Sequence, residues 1–436
     1  MTPEGVRRAD IGITGERIAA GDVPHADGEI DARGKIVLPG CVDLHTHLAS
    51  TPTFTPLDDF DHGTAAALAG GVTTVLSMVY QEDTLAAGAE RGMRDGSRSR
   101  ADFAFHVVVT DPSEAAIAEV PALARAGHGL KVFMVSPRFA LRRDDYVRLY
   151  RAAAAAGVTV AVHAEDHAIV ARATAELHAA GRDGVRHFPE SRPVDAETSA
   201  VREAAANAAQ TGAAIYLVHL SSRDALAELS EAKRRGLRVY GETRPLYLYL
   251  TRERFARPDA ALWVGQPPLR EQDDVDALWR ALADGTLDTV GTDHYPHLRA
   301  AKLAEGLAFD KVPPGVANLE TLLPMFYSEG VRRGRITLER MVALLATTPA
   351  RIAGVAPRKG AIVVGADADL VIFDPERTRT IRASEMHSAC DYDPYEGREV
   401  TGWPSLTLLR GAVAFRDGAV VAPPGAGRFV PRAFAA

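Results

Sequence analysis

Two histidines separated by one residue are the first side chains in this chain whose spacing suggests metal chemistry. His45 and His47 follow the apolar stretches of residues 36–38 and 41–42, which predict a β-strand. Alternate residues of a strand point to the same side, so both imidazoles can face one metal ion. Histidine pairs are also common on surfaces and in cores, and the pair indicates a metal site only if later strands supply further ligands.

Later strand candidates do carry such residues, each in or at the end of its strand. They are, in chain order, Lys131, His163, His219 and Asp293. Each one alone fits a half-buried structural side chain, but together with His45 and His47 they occupy equivalent places. An ammonium group cannot ligate a metal, so Lys131 joins the set only as a neutral amine that has captured carbon dioxide. The alternative is a lysine whose stem is buried while its charged end reaches water.

The elements that must position these residues alternate between short apolar strands and helical patterns. The strand candidates are residues 36–45, 72–78, 103–109, 130–134, 158–163, 213–219, 237–242 and 288–293. Several of the helices between them begin after Ser or Asp and end at Gly, as helix caps do. Eight β–α units of this length predict a TIM barrel, and an open doubly wound sheet is the alternative. In a TIM barrel the ends of the strands carry the chemistry.

The two ends of the chain predict a second, smaller unit. Short strand candidates lie at residues 11–13, 17–19, 361–364, 370–373, 406–409 and 413–415. We therefore expect an α/β protein with a TIM (β/α)8 barrel over residues 36–357 and a β-sandwich built from residues 1–35 and 358–436. Residues 319–327 and 338–345 predict additional helices. The apolar strand that would open the sandwich is missing before Arg7, which suggests an upstream start or a reduced domain.

Composition and charge argue against several classes of function. The chain has 436 residues, of which 47% are hydrophobic and 25% charged, as in ordinary globular proteins. A net charge of -7 argues against a nucleic-acid partner. The two cysteines cannot form a disulfide framework, and the N-terminus lacks the apolar core of a signal peptide. We expect a cytoplasmic protein without a membrane partner.

The motifs taken together resemble the amidohydrolase superfamily, and within it the cyclic amidases: dihydropyrimidinases, hydantoinases, allantoinases and dihydroorotases. Besides the candidate ligands, the resemblance rests on residues 59–64, 69–74, 191–197, 241–243, 267–270, 349–351, 358–360, 365–370 and 391–397. The runs at 267–270 and 391–397 look most like the dihydropyrimidinase and hydantoinase subgroup.

The resemblance implies a binuclear metal site and a hydrolytic reaction. One divalent ion would be held by His45, His47, Lys131 and Asp293, and the other by Lys131, His163 and His219, with Lys131 as N6-carboxylysine. Zinc is the expected metal. A hydroxide bridging the metals would attack the carbonyl of a dihydropyrimidine or a 5-substituted hydantoin, and Asp293 would carry its proton to the leaving ring nitrogen.

The ring itself is less well defined by the sequence. Dihydroorotases resemble one another in an arginine two places after the second histidine, where this chain has Ala49, so that activity is disfavoured. Dihydropyrimidinases and hydantoinases place an oxyanion-stabilising tyrosine five residues after the lysine, where this chain has Ser136. Allantoinase-like sequences often carry a small polar residue there, so an allantoinase-type ureide ring remains an alternative.

Three more positions are candidate substrate contacts. Gln266 stands where relatives usually have a serine whose backbone contacts the substrate, and Pro314, which has a carbonyl but no N–H, lies near a second backbone contact. Arg244 stands where relatives usually have a small residue. It either forms a structural salt bridge or contacts an acidic substituent of the substrate.

The expected partner is a small cyclic amide or ureide, and the expected assembly is a homodimer or homotetramer. Two other functions remain open. An inactive scaffold is disfavoured because all six ligand positions are retained. Hydrolysis of an exocyclic amide, or a deamination, is disfavoured by the cyclic-amidase motifs outside the site.

Overall fold

Strands and helices alternate through the middle of the computed structural model, which describes residues 5–21, 26–51 and 53–434. The strands of this part of the chain are β1 (Ile13–Thr14), β2 (Arg17–Ile18), β3 (Ile36–Pro39), β4 (Cys41–Thr46), β5 (Val72–Tyr80), β6 (Asp102–Val108), β7 (Gly129–Phe133), β8 (Thr159–His163), β9 (Ala214–Leu217), β10 (Val239–Thr243), β11 (Thr289–Val290), β12 (Leu370–Thr380), β13 (Glu399–Leu409), β14 (Ala412–Arg416) and β15 (Ala419–Val420).

The α-helices of the same ranges are α1 (Phe60–Ala69), α2 (Leu85–Gly96), α3 (Glu114–Arg125), α4 (Pro137–Leu141), α5 (Arg143–Ala155), α6 (His167–Ala179), α7 (Phe188–Ser191), α8 (Val194–Thr211), α9 (Arg223–Arg234), α10 (Pro245–Tyr249), α11 (Gln272–Asp284), α12 (Arg299–Lys302), α13 (Leu322–Phe326), α14 (Leu338–Val342) and α15 (Thr348–Ala353). Short π-helical segments, Tyr327–Val331 and Ala343–Thr347, continue α13 and α14. No helix in the described ranges is long and apolar enough to cross a membrane.

Strands β4 to β11 form one parallel sheet in sequential order. The sheet closes on itself because Thr46 pairs in parallel with His294, and the N–H of Asp293 donates to the carbonyl of His45 at 2.8 Å. All seven residues of β6 are buried, as expected for a strand covered by helices on its outer face. The predicted TIM barrel is therefore confirmed.

Polar caps fix where the outer helices begin. The Asp59 side chain accepts hydrogen bonds from two backbone N–H groups at the start of α1, and Ser113 and Ser222 cap α3 and α9 in the same way. These oxygens satisfy N–H groups that have no partner within the helix. Helix α11 ends at Gly285, whose φ of 93° lies in the left-handed region.

The smaller sheet is antiparallel, in the order β15-β14-β13-β12-β3, and the β1–β2 hairpin contacts it through pairing of Arg17 with Asp367. Ile18, Leu370 and Leu406 share its apolar core. A small β-domain assembled from both ends of the chain is thus confirmed. Residues 1–4, 22–25 and 435–436 of the predicted sandwich lie outside the described residues, and the division of the chain at 35/36 and 357/358 stays a prediction.

Two strand predictions are wrong. Residues 36–45 form two strands rather than one, because β3 pairs with β12 of the smaller sheet and β4 pairs with β5 of the barrel. The chain changes sheet at Gly40, where a side chain would collide with Thr73. Both segments are apolar, so hydrophobicity alone does not reveal the crossing. Residues 361–364 lie outside any strand, and Val364 is 65% exposed.

Candidate metal centre

Histidine rings from three strands converge at the C-terminal ends of the barrel strands. The ring centroids of His163 and His219 are 4.5 Å apart, and those of His45 and His219 are 5.3 Å apart. The Nε2 atoms of His45 and His47 lie 3.3 and 3.2 Å from Oδ1 of Asp293. These three residues offer ligand atoms within 4.8 Å of one another. Imidazole and carboxylate groups at this spacing suit a divalent transition metal.

Buried carboxylates orient two of the imidazoles. Oε1 of Glu242 lies 2.9 Å from Nδ1 of His45, and Oε2 of Glu165 lies 2.7 Å from Nε2 of His163. Burial lowers the pKa of both histidines, which favours neutral rings. A neutral ring that donates to the carboxylate presents the lone pair of its other nitrogen.

Lys131 lies on β7 with its side chain fully buried, and its Nζ has no hydrogen-bond partner among the described residues. Burial lowers the pKa of this amine to about 8. Nearby Asp293 and Glu242 oppose the shift only in part. A charged ammonium without a partner is costly to bury, so the environment increases the fraction of neutral, nucleophilic amine. The predicted carbamate requires such an amine.

The two carboxylate oxygens of Asp293 contact different neighbouring side chains. Oδ1 faces His45 and His47, whereas Oδ2 accepts a hydrogen bond from Nη1 of Arg244. Burial by itself raises the pKa of Asp293, but the charge of Arg244 and the neighbouring imidazoles lower it well below its usual range. The carboxylate is therefore ionised and can act as a metal ligand.

Backbone strain is stored at two of these positions. His219 and Asp293 have φ values of 43° and 50°, in the left-handed region that non-glycine residues occupy at a cost of about 1–3 kcal/mol each.

Buried carboxylates also hold the backbone around these residues. The N–H of His219 donates to Oε1 of Glu242 at 3.1 Å. Asp43 accepts from the N–H groups of His45 and Thr292 at 3.0 and 3.1 Å, which ties the first barrel strand to the loop that carries Asp293.

Comparison with known proteins gives the family. The family model described as "Amidohydrolase family" matches residues 36–414. The D-hydantoinase of Ralstonia pickettii is 37% identical over 444 aligned positions, which cover 99% of this chain and 97% of that protein. The crystal structure of dihydropyrimidinase from Brevibacillus agri matches with a TM-score of 0.94 and 35% identity, covering 100% and 97% of the two chains. L-hydantoinase from Arthrobacter aurescens matches with a TM-score of 0.90 and 30% identity, covering 99% and 97%.

The chain belongs to the amidohydrolase family. The family is metal-dependent, and this amidohydrolase has side chains capable of holding a metal at one end of its barrel. The structure brings all the predicted ligand positions together there: His45, His47, Lys131, His163, His219 and Asp293.

The candidate substrate contacts lie on loops that follow the barrel strands. The Oγ atom of Ser136 accepts from the N–H of Arg138 at 3.2 Å at the start of α4, which leaves its own proton free to donate. The segments that carry Gln266 and Pro314 are joined, since the N–H of residue 315 donates to the carbonyl of residue 264 at 2.9 Å. The carbonyl of Pro314 lies 3.1 Å from Nε2 of His297.

The buried carboxylates Asp43, Glu165 and Glu242 are not predicted as site residues by the sequence. A signal for them exists. Asp43 precedes His45 by two residues and Glu165 follows His163 by two, the spacing that places side chains on one side of an extended chain. Glu242 is a charged residue in a strand that is otherwise mostly buried. Buried charges of this kind need partners, which the histidines and Arg192 supply.

Proposed function

We propose that this amidohydrolase hydrolyses a cyclic amide, either a dihydropyrimidine or a 5-substituted hydantoin, to an open-chain acid. The observation behind the proposal is the convergence of four imidazoles and Asp293 near the unpartnered amine of Lys131. Similar proteins carry the names D-hydantoinase, L-hydantoinase and dihydropyrimidinase.

The donor set fits two divalent cations, and zinc suits imidazole and carboxylate ligands. We assign one cation to His45, His47 and Asp293 and the other to His163 and His219. Lys131, carboxylated by carbon dioxide, is assigned to both. When bound, a pair of such ions acidifies a water molecule and polarises a carbonyl group.

The side chains of the protein supply the proton transfers. Asp293 accepts the proton of the attacking water and delivers it to the ring nitrogen as the C–N bond breaks. Ser136 donates a hydrogen bond from its hydroxyl group to the carbonyl oxygen, on which negative charge develops. Backbone groups at Gln266 and Pro314 orient the ring. The net reaction adds water across one C–N bond and leaves a carboxylate and a free N–H group.

An allantoinase-type ureide ring is the second candidate, and Ser136 is the residue that favours it. Serine reaches less far than the tyrosine expected in hydantoinases, so it leaves more room beside the carbonyl. An inactive scaffold is disfavoured by the retained ligand set. A homodimer or homotetramer stays the predicted assembly.

A substrate panel tests the proposal. Protein supplied with zinc and bicarbonate is assayed on dihydrouracil, 5-substituted hydantoins and allantoin, with ring opening followed by chromatography. We expect ring opening of a hydantoin or dihydrouracil, abolished by a chelator and restored by zinc. Opening of allantoin alone selects the second candidate. If metal-loaded protein opens no ring in the panel, the cyclic-amide proposal is wrong.

A further inference from the structure

Arg244 has a guanidinium buried from solvent, in which one nitrogen is hydrogen-bonded and two buried nitrogens, called open below, have no hydrogen-bond partner among the described residues. Nη1 donates to Oδ2 of Asp293, while Nε and Nη2 have no hydrogen-bond partner among the described residues. Within the same ranges, Asp293 is also its one ion-pair partner. Buried donors are costly to leave unsatisfied, so the two open nitrogens point to a group that binds there.

The open nitrogens share one edge of the guanidinium plane. Nε and Nη2 each direct an N–H bond outward from that edge, at a spacing that matches the two oxygens of a carboxylate. Arg33 illustrates the pairing in this chain, since its Nε and Nη2 donate to the two oxygens of Asp31 at 2.9 and 2.6 Å. The free edge of Arg244 therefore has the geometry for bidentate binding of a carboxylate.

Nη2 of Arg244 lies close to the segment proposed to orient the substrate. A Cβ placed on Gly265 would lie 3.0 Å from Nη2 of Arg244, and Gly265 directly precedes Gln266. The ring of Tyr247 lies 5.3 Å from the guanidinium carbon, and its hydroxyl donates to the carbonyl of Pro267 at 2.6 Å. Arg244 is thus held between Asp293 and the Gly265–Pro267 segment.

Two other buried arginines near the site differ from Arg244. Arg192 pairs with Glu165. The Nε of Arg270 donates to Oγ of Ser221 at 3.0 Å, and its Nη1 donates to the carbonyl of Arg192 at 2.7 Å. In both of those side chains at most one buried guanidinium nitrogen lacks a hydrogen-bond partner among the described residues, whereas Arg244 lacks a partner at both Nε and Nη2.

We propose that Arg244 recognises a carboxylate substituent of the ring substrate through Nε and Nη2, while Nη1 holds Asp293. The inference rests on the proposed function and makes Arg244 a specificity-determining residue of that site. A carboxylate on the side chain of a hydantoin and one on a dihydropyrimidine ring present the same chemistry, and the experiment separates them.

The test compares each carboxylate with its neutral amide. The kcat/KM of the zinc- and bicarbonate-loaded protein is measured for hydantoin-5-acetate against hydantoin-5-acetamide, and for dihydroorotate against its carboxamide. A charge-assisted pair of hydrogen bonds predicts a preference of about 10- to 100-fold for the carboxylate in one of the two pairs. That pair identifies which ring carries the substituent.

Variants of Arg244 then test whether this side chain causes the preference for the carboxylate substrate. In Arg244→Gln the carboxylate-to-amide ratio falls about tenfold or more, and in Arg244→Lys, which keeps the charge but loses the fork, it falls less. Substitution of Arg244 can also lower activity on every substrate through its contact with Asp293. The carboxylate-to-amide ratio of kcat/KM within one variant cancels that general loss of activity. Arg432→Gln is the control, because Arg432 is also buried with an open Nη2 but its Nε donates to the carbonyl of Ala353 at 2.7 Å, away from this site. The control keeps the wild-type ratio.

Three outcomes overturn the proposed role of Arg244, and they differ in whether the proposed function is overturned as well. Equal rates for carboxylate and amide in both pairs overturn the role of Arg244 but leave the proposed function standing. A preference that survives in Arg244→Gln does the same. Failure to open any of the four rings, together with failure on unsubstituted rings, overturns the proposed function as well.

Discussion

Two buried clusters of ionisable side chains lie at opposite ends of the barrel strands and use lysine in opposite ways. The interface cluster consists of Asp102, Asp367, Asp369 and Lys359, where the start of β6 meets the smaller sheet. Its three carboxylates are close enough to hold a metal, but Lys359 Nζ lies 2.5, 2.9 and 2.6 Å from them. A protein cation already occupies the centre of this cluster.

The barrel-end cluster consists of His45, His47, Lys131, His163, His219 and Asp293. Its lysine is equally buried but has no hydrogen-bond partner among the described residues. Burial lowers the pKa of Lys131 to about 8. Burial also disfavours the charge of Lys359, yet the three carboxylates outweigh it and raise the pKa of Lys359 above its ordinary value. In the interface cluster a lysine cation neutralises the carboxylates, whereas no side-chain cation of the described residues fills the centre of the barrel-end cluster. This difference, rather than the number of acidic residues, distinguishes a site that can accept a metal ion.

The largest expected effect comes from Asp293 in the barrel-end cluster. Asp293→Asn removes the proton acceptor but keeps an oxygen ligand, so kcat should fall by about 10²- to 10⁴-fold while the metal content stays near that of wild type. Steady-state kinetics and elemental analysis measure both quantities. Asp369→Asn in the interface cluster is the matched control and should keep kcat. A near-normal kcat for Asp293→Asn contradicts the assignment.

The two lysines should differ sharply in their effect on stability. Lys359→Met removes the cation that neutralises buried Asp369, while Arg410 still pairs with Asp102 and Arg358 with Asp367, and it should lower the free energy of unfolding by about 3–5 kcal/mol. Lys131→Met removes an unpartnered amine and should lower the stability of the metal-free protein by less than about 1 kcal/mol. Urea unfolding of both variants measures the difference. Equal losses would show that Lys131 is a structural residue like Lys359.

Glu242 provides a smaller effect on metal binding. Glu242→Gln weakens the orientation of His45 and should reduce zinc affinity by about 10- to 100-fold. Glu320 pairs with Nδ1 of His387 at 3.1 Å outside the barrel-end cluster, so Glu320→Gln is the control. Competition with a chromophoric chelator measures both affinities. Equal zinc affinity in the two variants would mean that Glu242 does not act through His45.

The smallest effect is a loss of stability at high pH that the interface cluster should show. Because the pKa of Lys359 is raised on folding, the folded protein retains a proton above pH 10.5 that the unfolded chain loses. The stabilisation by Lys359 is therefore complete below that pH and declines as the pH rises above it. The stability difference between wild type and Lys359→Met should be constant from about pH 7 to 10 and shrink at higher pH. A difference that grows above pH 10.5 has the wrong sign for this account.

Most of the barrel is predictable from local sequence because the strands and several of the helix starts carry their own signals. The apolar runs indicate the strands, and residues such as Ser113 and Ser222 mark where helices begin. The change of sheet at Gly40 is not predictable in this way, since it depends on which strands β3 and β4 find as neighbours. Hydrophobic periodicity contains no information on that choice.

The candidate site is predictable in residue type but not in contacts. Strand ends identify the histidines, Lys131 and Asp293, because a barrel gathers those ends at one face. The partners that tune them lie far away in the chain: Glu242 is 197 residues from His45, and Arg244 is 49 residues from Asp293. The free edge of Arg244 is likewise a property of the folded surroundings, and no spacing in the sequence encodes it.

Metal content is the most direct test of the difference between the two clusters. Wild type, Lys131→Met and Lys359→Met are purified with zinc and bicarbonate, and zinc per folded chain is determined by elemental analysis. We expect about two zinc ions in wild type and in Lys359→Met, and about one or fewer in Lys131→Met. Equal zinc in all three proteins, or a loss confined to Lys359→Met, would contradict the assignment of the metal centre to the barrel end.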